Sequence, residues 1–433
     1  MTDDNRPISL AAIWVEFDLD FSGLEGNWGQ DDPLLASFSG RRETNETTML
    51  RYWTAGESHG NALVAMVDGF PSGVSVSTAE IDKELARRQG GYGRGGRQRI
   101  EEDRVEILSG LRRGQSLGSP IALVVRNRDV KIERMEDLER PRPGHADLSG
   151  AMKYLAPIRA ILERSSARET AARVAAGALA KQLLDPFGIV AFAYVAEVGP
   201  IRVEPLAAPL AQQRVARDAS ALYTLNPEQD EAIKSLVDTC QKQGDTLGGV
   251  VEIRVEGVPF GLGSHAQWDK KLDGLLAQAV MSVQAIKGVE IGLGFEAARR
   301  RGSEVHDPIH HDPARASTPT LGYVRPTNHA GGLEGGMTNS QPIVIRAAMK
   351  PISTLARPLE SVNLRTKKSE AAAYERSDVC AVSAASVILE NVVAMEVARA
   401  MVDKFGGDSL AEMQARWKLF HEMGRNWGLG TGD

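Results

Sequence analysis

Over residues 377–405 the chain runs through Val, Ala, Ile, Leu and Met with few polar interruptions, so a helix there is apolar on most of its sides. Such a helix is stable only where other elements cover it nearly all round. The sequence therefore predicts a domain organised about a buried helix. Leu272, Leu275, Leu276, Ala279, Val280 and Val283 fall on one face of a second helix, with Lys287-Gly288 as its stop signal. Ser166 and Glu169 have capping-box spacing, which opens an Ala-rich helix running to Leu184, before Pro186. Val251, Ile253 and Val255 alternate with Glu252, Arg254 and Glu256, and Ile343 and Ile345 alternate with Val344 and Arg346. Each pattern predicts a strand that buries one face.

Residues 204–230 and 302–320 read as surface excursions. No repeat is visible, so the organisation expected is one domain over residues 49–405. It is preceded by an acidic extension, residues 1–48, and followed by a tail, residues 406–433, that is weakly helical at best. The extension has acidic residues where a targeting segment carries positive charge, and Met49 stands just before the first strong motif. Translation is expected to start there.

A formal net charge of −6 argues against a general binder of nucleic acid or membrane surfaces, both polyanions. Charged residues interrupt every apolar run before it reaches the roughly 18 residues that a membrane span needs. Cys240 and Cys380 lie far apart with no CxxC spacing, which gives neither a disulfide framework nor a thiolate metal site and suits a reducing cytoplasm. His306, His310 and His311 with Asp307 and Asp312 have metal-binding donor types, but Pro308 and Pro313 break any helix that would align them. A solvated loop is the favoured reading, and no metal is expected.

The strongest local signal is Arg87, Arg88, Arg94, Arg97 and Arg99 set among Gly90, Gly91, Gly93, Gly95 and Gly96. Glycines let backbone approach a ligand and guanidinium groups fork onto phosphate or carboxylate. On charge alone a small-anion site and a solvated basic turn stand side by side. Gly91, Gly93 and Gly96 also satisfy GxGxxG, but the residues before them read helical, so a dinucleotide site is rejected. His59, between glycines in Gly56-Glu57-Ser58-His59-Gly60, and His145, after Arg142-Pro143-Gly144, stand where packing gives little reason for a histidine, and each can move a proton near neutral pH. The run Arg164-Ser165-Ser166-Ala167-Arg168-Glu169-Thr170 sets hydroxyls and free N–H groups at a helix start, which suits an anion as well as ordinary capping.

Taken in order, three motifs resemble the chorismate synthase family: Gly56 to Gly60 leading to Val67-Asp68-Gly69-Phe70-Pro71, Arg164 to Thr170 running on to Ala176-Gly177, and Arg376-Ser377-Asp378-Val379-Cys380. The resemblance runs over residues 49–404. It implies an α+β fold, a β-α-β sandwich with a helical core between two antiparallel sheets, in a homotetrameric, cytoplasmic enzyme. The implied reaction is the anti-1,4-elimination of phosphate from 5-enolpyruvylshikimate 3-phosphate, giving chorismate. It requires reduced FMN without net redox change, with NADPH a candidate reductant, and is the last common step toward the aromatic amino acids.

The resemblance also implies roles. His59 is the general acid at the leaving phosphate, His145 faces the flavin, and Asp378 takes part in removing the C6 proton. Arg88, Arg94 and Arg97 hold the substrate or a nicotinamide phosphate. Arg164, Ser165, Ser166, Gln284, Ala285, Gly335, Lys350, Pro351, Ile352, Ser353, Thr354 and Arg376 contact FMN. Ser340, Ser383 and Ser386 depart from the family's usual glycine, proline and glycine. Two other readings of the same residues remain: a flavin oxidoreductase that consumes NADPH, and an anion-binding protein without catalysis.

Overall fold

The structure is a computed structural model that describes residues 50–96, 100–375 and 378–427. The expected extension and start at Met49, together with Arg97 and Arg376, lie outside the described residues. In chain order the elements are β1 (Arg51–Ala55), β2 (Ala62–Asp68), α1 (Thr78–Gln89), β3 (Val105–Ile107), β4 (Leu111–Arg112), β5 (Gln115–Ser116) and β6 (Ile121–Arg126). Helices α2 (Asp147–Tyr154), α3 (Ile158–Ser165) and α4 (Thr170–Leu184) follow, then β7 (Val190–Val198), β8 (Ile201–Arg202), α5 (Leu210–Ala219), α6 (Asp230–Lys242), β9 (Gly249–Glu256) and β10 (Phe260–Gly263). Next come α7 (Leu272–Met281), β11 (Ile286–Ile291), α8 (Gly302–Val305), β12 (His310–His311), β13 (Tyr323–Val324), β14 (Leu333–Glu334), β15 (Met337–Asn339) and β16 (Ile343–Met349). The last are β17 (Glu360–Val362), β18 (Ser369–Ala371), α9 (Val382–Phe405) and α10 (Leu410–Asn426).

Two antiparallel sheets, in strand orders β1-β2-β6-β3 and β11-β16-β9-β7-β8, enclose a helical layer. Helix α9 packs on β7 and β9 on one side and on α4 on the other, and α4 in turn covers β2 and β6. This is the β-α-β sandwich, and α9 is the buried helix its composition demands: from Val382 to Ala398 every residue is buried. Gly177 lets the two central helices meet, because a Cβ built there would lie 2.2 Å from the Asn391 carbonyl oxygen. Val251, Ile253 and Val255 of β9 and Ile343 and Ile345 of β16 face this core, with Ile345 paired to Ile253.

Local boundaries depart from the sequence expectations in five places. Helix α7 ends at Met281, and Lys287-Gly288 lies within β11. A turn at Ala285, with φ of 67°, reverses the chain first, and its carbonyl accepts the Lys350 N–H. Ser166 and Glu169 form no capping box: Ser166 caps a short 3-10 turn, while the Glu169 carboxylate accepts from Thr54, Arg173 and Gln284. Helix α9 starts at Val382, since the N–H groups of Val379 and Cys380 are drawn to the Gly93 carbonyl. Residues 204–230 are not wholly a surface excursion, because Ser220, Thr224 and Asp230 form a buried hydrogen-bonded cluster beside Leu222. Finally, residues 410–426 form α10, opened by a genuine Ser409–Glu412 capping box. Trp417 packs edge-on against Phe187 and Phe405, which holds the helix on the domain.

Cys240 and Cys380 are both buried and free. No helix among the described residues is long and apolar enough to cross a membrane. Among the same residues no group of three His, Cys, Asp or Glu side chains is placed to hold a metal.

Candidate active site

The α3–α4 junction, the loop after α1, the turn after α7, the segment after β16 and the start of α9 converge on a cleft of about 530 Å³. These parts are distant in sequence, and the sandwich brings their ends together.

One end of the cleft is cationic. Arg94 lies 3.3 Å from the Asp378 carboxylate, which also accepts the Gly95 N–H at 2.6 Å, so the glycine loop and the start of α9 are tied directly. The buried Nε of Arg94 has no hydrogen-bond partner among the described residues. Arg88 donates all three nitrogens to the protein, to Thr170 Oγ1, Asp103 and the Ala167 carbonyl. Burial pushes the Arg88 guanidinium down to about 10, against the pull of Asp103, which lies between it and Arg168. Arg168 also reaches Asn127, and its buried Nη2 lies 3.5 Å from the Glu101 carboxylate. Lys131 and Asp129, paired at 2.8 Å, complete this end. The ion pairs behind the wall fix the guanidinium groups before any ligand arrives, so less ordering is needed on binding.

The rest of the lining combines apolar side chains with polar ones. Ala381, just before α9, and Ala384, Ala385 and Ile388 of α9 line it together with Val283, Ala285 and Met349. On the rim, the buried Ser165 Oγ and Gln284 Oε1 have no hydrogen-bond partner. Lys350 donates to the Gly144 carbonyl, and burial, helped by nearby Lys287, holds its ammonium below the usual lysine range. Ser353 and Thr354 follow, and Thr354 Oγ1 accepts from Arg142 at 2.9 Å. The left-handed Ala285 stores strain at the wall.

His145 lies beside the rim, next to Arg142, which reaches Thr354, and to Gly144, which accepts from Lys350. Its Nδ1 is 2.5 Å from the fully buried Asp147 carboxylate, which Arg142 also grips. Burial alone would raise the Asp147 pKa, yet the bonds from His145 and Arg142 hold it well below the carboxylate range. His59 is buried behind the wall, with Nδ1 2.9 Å from Glu163 and Nε2 3.7 Å from Asp129. Glu163 and Lys131 also line a second cavity of about 830 Å³ on that side.

The cleft therefore gathers Arg88, Arg94, His145, Ser165, Ser166, Gln284, Ala285, Lys350, Pro351, Ile352, Ser353, Thr354 and Asp378. It does not include His59, which is buried against Glu163 and Asp129; Arg164, whose guanidinium bonds to Thr54 and the Gly56 carbonyl; or Gly335, in the turn between β14 and β15. Sequence reasoning missed Lys131, Arg142, Asp147 and Glu163 as parts of the site. Arg142 and Asp147 had a local signal, three and two residues from His145; Lys131 and Glu163 are joined to the site only through the fold. Of the departures, Ser340 takes a left-handed φ of 65°, the conformation glycine adopts freely. Ser383 and Ser386 turn their hydroxyls onto the Leu222 and Ser383 carbonyls.

A helical layer between antiparallel sheets, with basic and apolar residues lining one cleft, defines an α+β fold with a candidate active site. Residues 50–402 match the chorismate synthase family. Chorismate synthase of Geobacter sulfurreducens is 55% identical over 392 residues, covering 87% of this chain and all of that protein. That of Symbiobacterium thermophilum is 55% identical over 393 residues, covering 86% of this chain and 99% of the relative. A chorismate synthase crystal structure superposes with a TM-score of 0.72 at 43% identity, covering 88% of this chain and 99% of that one. The chain belongs to the chorismate synthase family, and it is a carbon–oxygen lyase of aromatic amino-acid biosynthesis.

Proposed function

We propose that this lyase eliminates phosphate from 5-enolpyruvylshikimate 3-phosphate to give chorismate, using reduced FMN, as a cytoplasmic homotetramer. The observation that carries the reading is the meeting of two unlike surfaces in one cleft: Arg94, Arg168 and Lys131 at one end, and the apolar wall with orphaned Ser165 and Gln284 atoms at the other. A substrate bearing a phosphate and two carboxylates suits the first. The second fits FMN: Ser165 Oγ and Gln284 Oε1, unpartnered among the described residues, would be satisfied by the polar groups of the cofactor, and Lys350, Ser353 and Thr354 would supply donors to it. The chemistry that reduced FMN would supply there is transient electron donation to the allylic carbon–oxygen bond, without net redox change.

The chain's own residues handle anions and protons. Arg94 and Arg168 orient the charged substrate while the ion pairs behind them keep their geometry. His59 donates a proton to the departing phosphate, from the side where Asp129 and Lys131 face the cleft. Asp378 accepts the proton lost from C6. Asp147 holds His145 Nδ1–H, which leaves Nε2 for the cofactor side. Arg97, Arg164, Gly335 and Arg376 keep the ligand-contacting roles implied by the resemblance, and Arg88 serves as a brace for Asp103 and Thr170.

The decisive assay incubates the protein anaerobically with 5-enolpyruvylshikimate 3-phosphate and chemically reduced FMN, following chorismate absorbance and phosphate release, with oxidised FMN as control. Product only with reduced flavin is expected. No product from folded, FMN-binding protein, or NADPH consumed in step with turnover, overturns the reading. His59→Ala and His145→Ala are each expected to lower turnover by about 10²–10⁴.

A further inference from the structure

We infer that Glu163 is the positioning residue that sets the orientation and tautomer of His59. This rests on the proposed role of His59 as proton donor. Glu163 grips the His59 turn at three points: its carbonyl accepts the Ser58 N–H at 2.8 Å, Oε2 accepts the His59 N–H at 2.8 Å, and Oε1 lies 2.9 Å from His59 Nδ1. Backbone and imidazole are thus fixed by one side chain on α3. With Nδ1–H directed to a carboxylate, Nε2 is the nitrogen left to exchange a proton toward the cleft.

The charged groups around the ring favour this arrangement. On the Nε2 side stand Asp129 at 3.7 Å and its partner Lys131. On the Nδ1 side, Glu163 is followed at 4.0 Å by Arg159, whose other nitrogen is 2.8 Å from Glu375 on the cleft wall. Burial works to raise the Glu163 pKa, but the bonds from His59 hold it below the glutamate range, so the carboxylate stays charged. The carboxylate at Nδ1 holds the ring plane, so Nε2 stays directed at Asp129. A glutamine would keep the shape while removing the charge, and its amide would donate to Nδ1 and reverse the tautomer.

A double-mutant cycle tests this, with anaerobic turnover and FMN binding measured for each variant. Glu163→Gln is expected to lower kcat by at least about tenfold with KM nearly unchanged, and Glu163→Asp to recover part of the loss. In the His59→Ala background the Glu163 substitution should cost nothing further. A Glu163→Gln enzyme within twofold of wild type, or losses that multiply in the double mutant, overturns the inference and leaves the lyase reading standing. Near-normal turnover of His59→Ala overturns the role of His59 and this inference with it. If Glu163→Gln fails to bind FMN, the cycle with Glu163→Asp decides in the same way.

Discussion

Replacing Glu390 with glutamine probes the ion cluster behind the arginine loop. Glu390 lies in the middle of α9 with its side chain 1% exposed, and its carboxylate accepts from Arg87 Nη1 and Nη2 at 3.2 Å each, from Arg217 at 3.1 Å, from the Ala193 N–H at 2.9 Å, and from Lys181. Glutamine preserves the volume, so no cavity opens. Three cations lose their common counterion, and only Glu84, shared by Arg87 and Lys181, and the half-exposed Asp218 beside Arg217 remain. Breaking a buried pair from one side costs about 3–5 kcal/mol. With an unfolding entropy of about 2.1 cal/mol/K per residue over roughly 380 residues, that is a fall in Tm of about 4–6 °C.

The acid limb gives the sign. Burial would raise the Glu390 pKa, but Arg87, Lys181 and Arg217 hold it far below the ordinary value of 4.5, and Glu84 is also lowered. A depressed carboxylate stabilises the fold above its unfolded pKa and loses that contribution as pH falls through the folded one. The Tm gap between wild type and mutant should therefore be full above pH 4.5 and narrow below it. Asp68→Asn, which breaks the exposed Arg51–Asp68 pair, is the control and should shift Tm by about 1 °C or less. A Glu390→Gln melt within 1 °C of wild type at pH 7, or a gap that widens in acid, refutes the reasoning.

Gly177→Ala forces a Cβ into the Asn391 backbone, so α4 and α9 must separate; an overpacking cost of about 1–3 kcal/mol is expected as a lowered Tm, with reduced turnover because both helices wall the cleft. Lys350→Ala removes one charged hydrogen-bond donor from the proposed flavin rim and should weaken FMN binding about 10- to 100-fold in a fluorescence titration; an unchanged Kd removes Lys350 from the site. Since the Lys350 ammonium is held below the lysine range, wild-type FMN affinity should begin to fall on the alkaline side before pH 10.5, and this limb should vanish in the alanine variant. Asp147→Asn withdraws the charge shared by His145 and Arg142 and should lower turnover at least about tenfold, but by no more than His145→Ala does.

The sequence by itself determined the elements whose pattern is local. The apolar 377–405 segment dictates a buried helix, the alternation at Val251 to Val255 and Ile343 to Ile345 dictates half-buried strands, and three ordered motifs carry the family. The Ser409–Glu412 spacing before Trp417 and Phe420 was equally local and gives α10. What only the tertiary structure decided are partnerships across long sequence separations: Glu163 under His59, Asp103 between Arg88 and Arg168, and Glu390 among Arg87, Lys181 and Arg217. A residue's helical or strand preference depends on its neighbours along the chain, so it is written in the sequence. Which charge meets which depends on how α1, α3, α4 and α9 stack between the sheets, and the solvent excluded by that stacking gives each pair its strength.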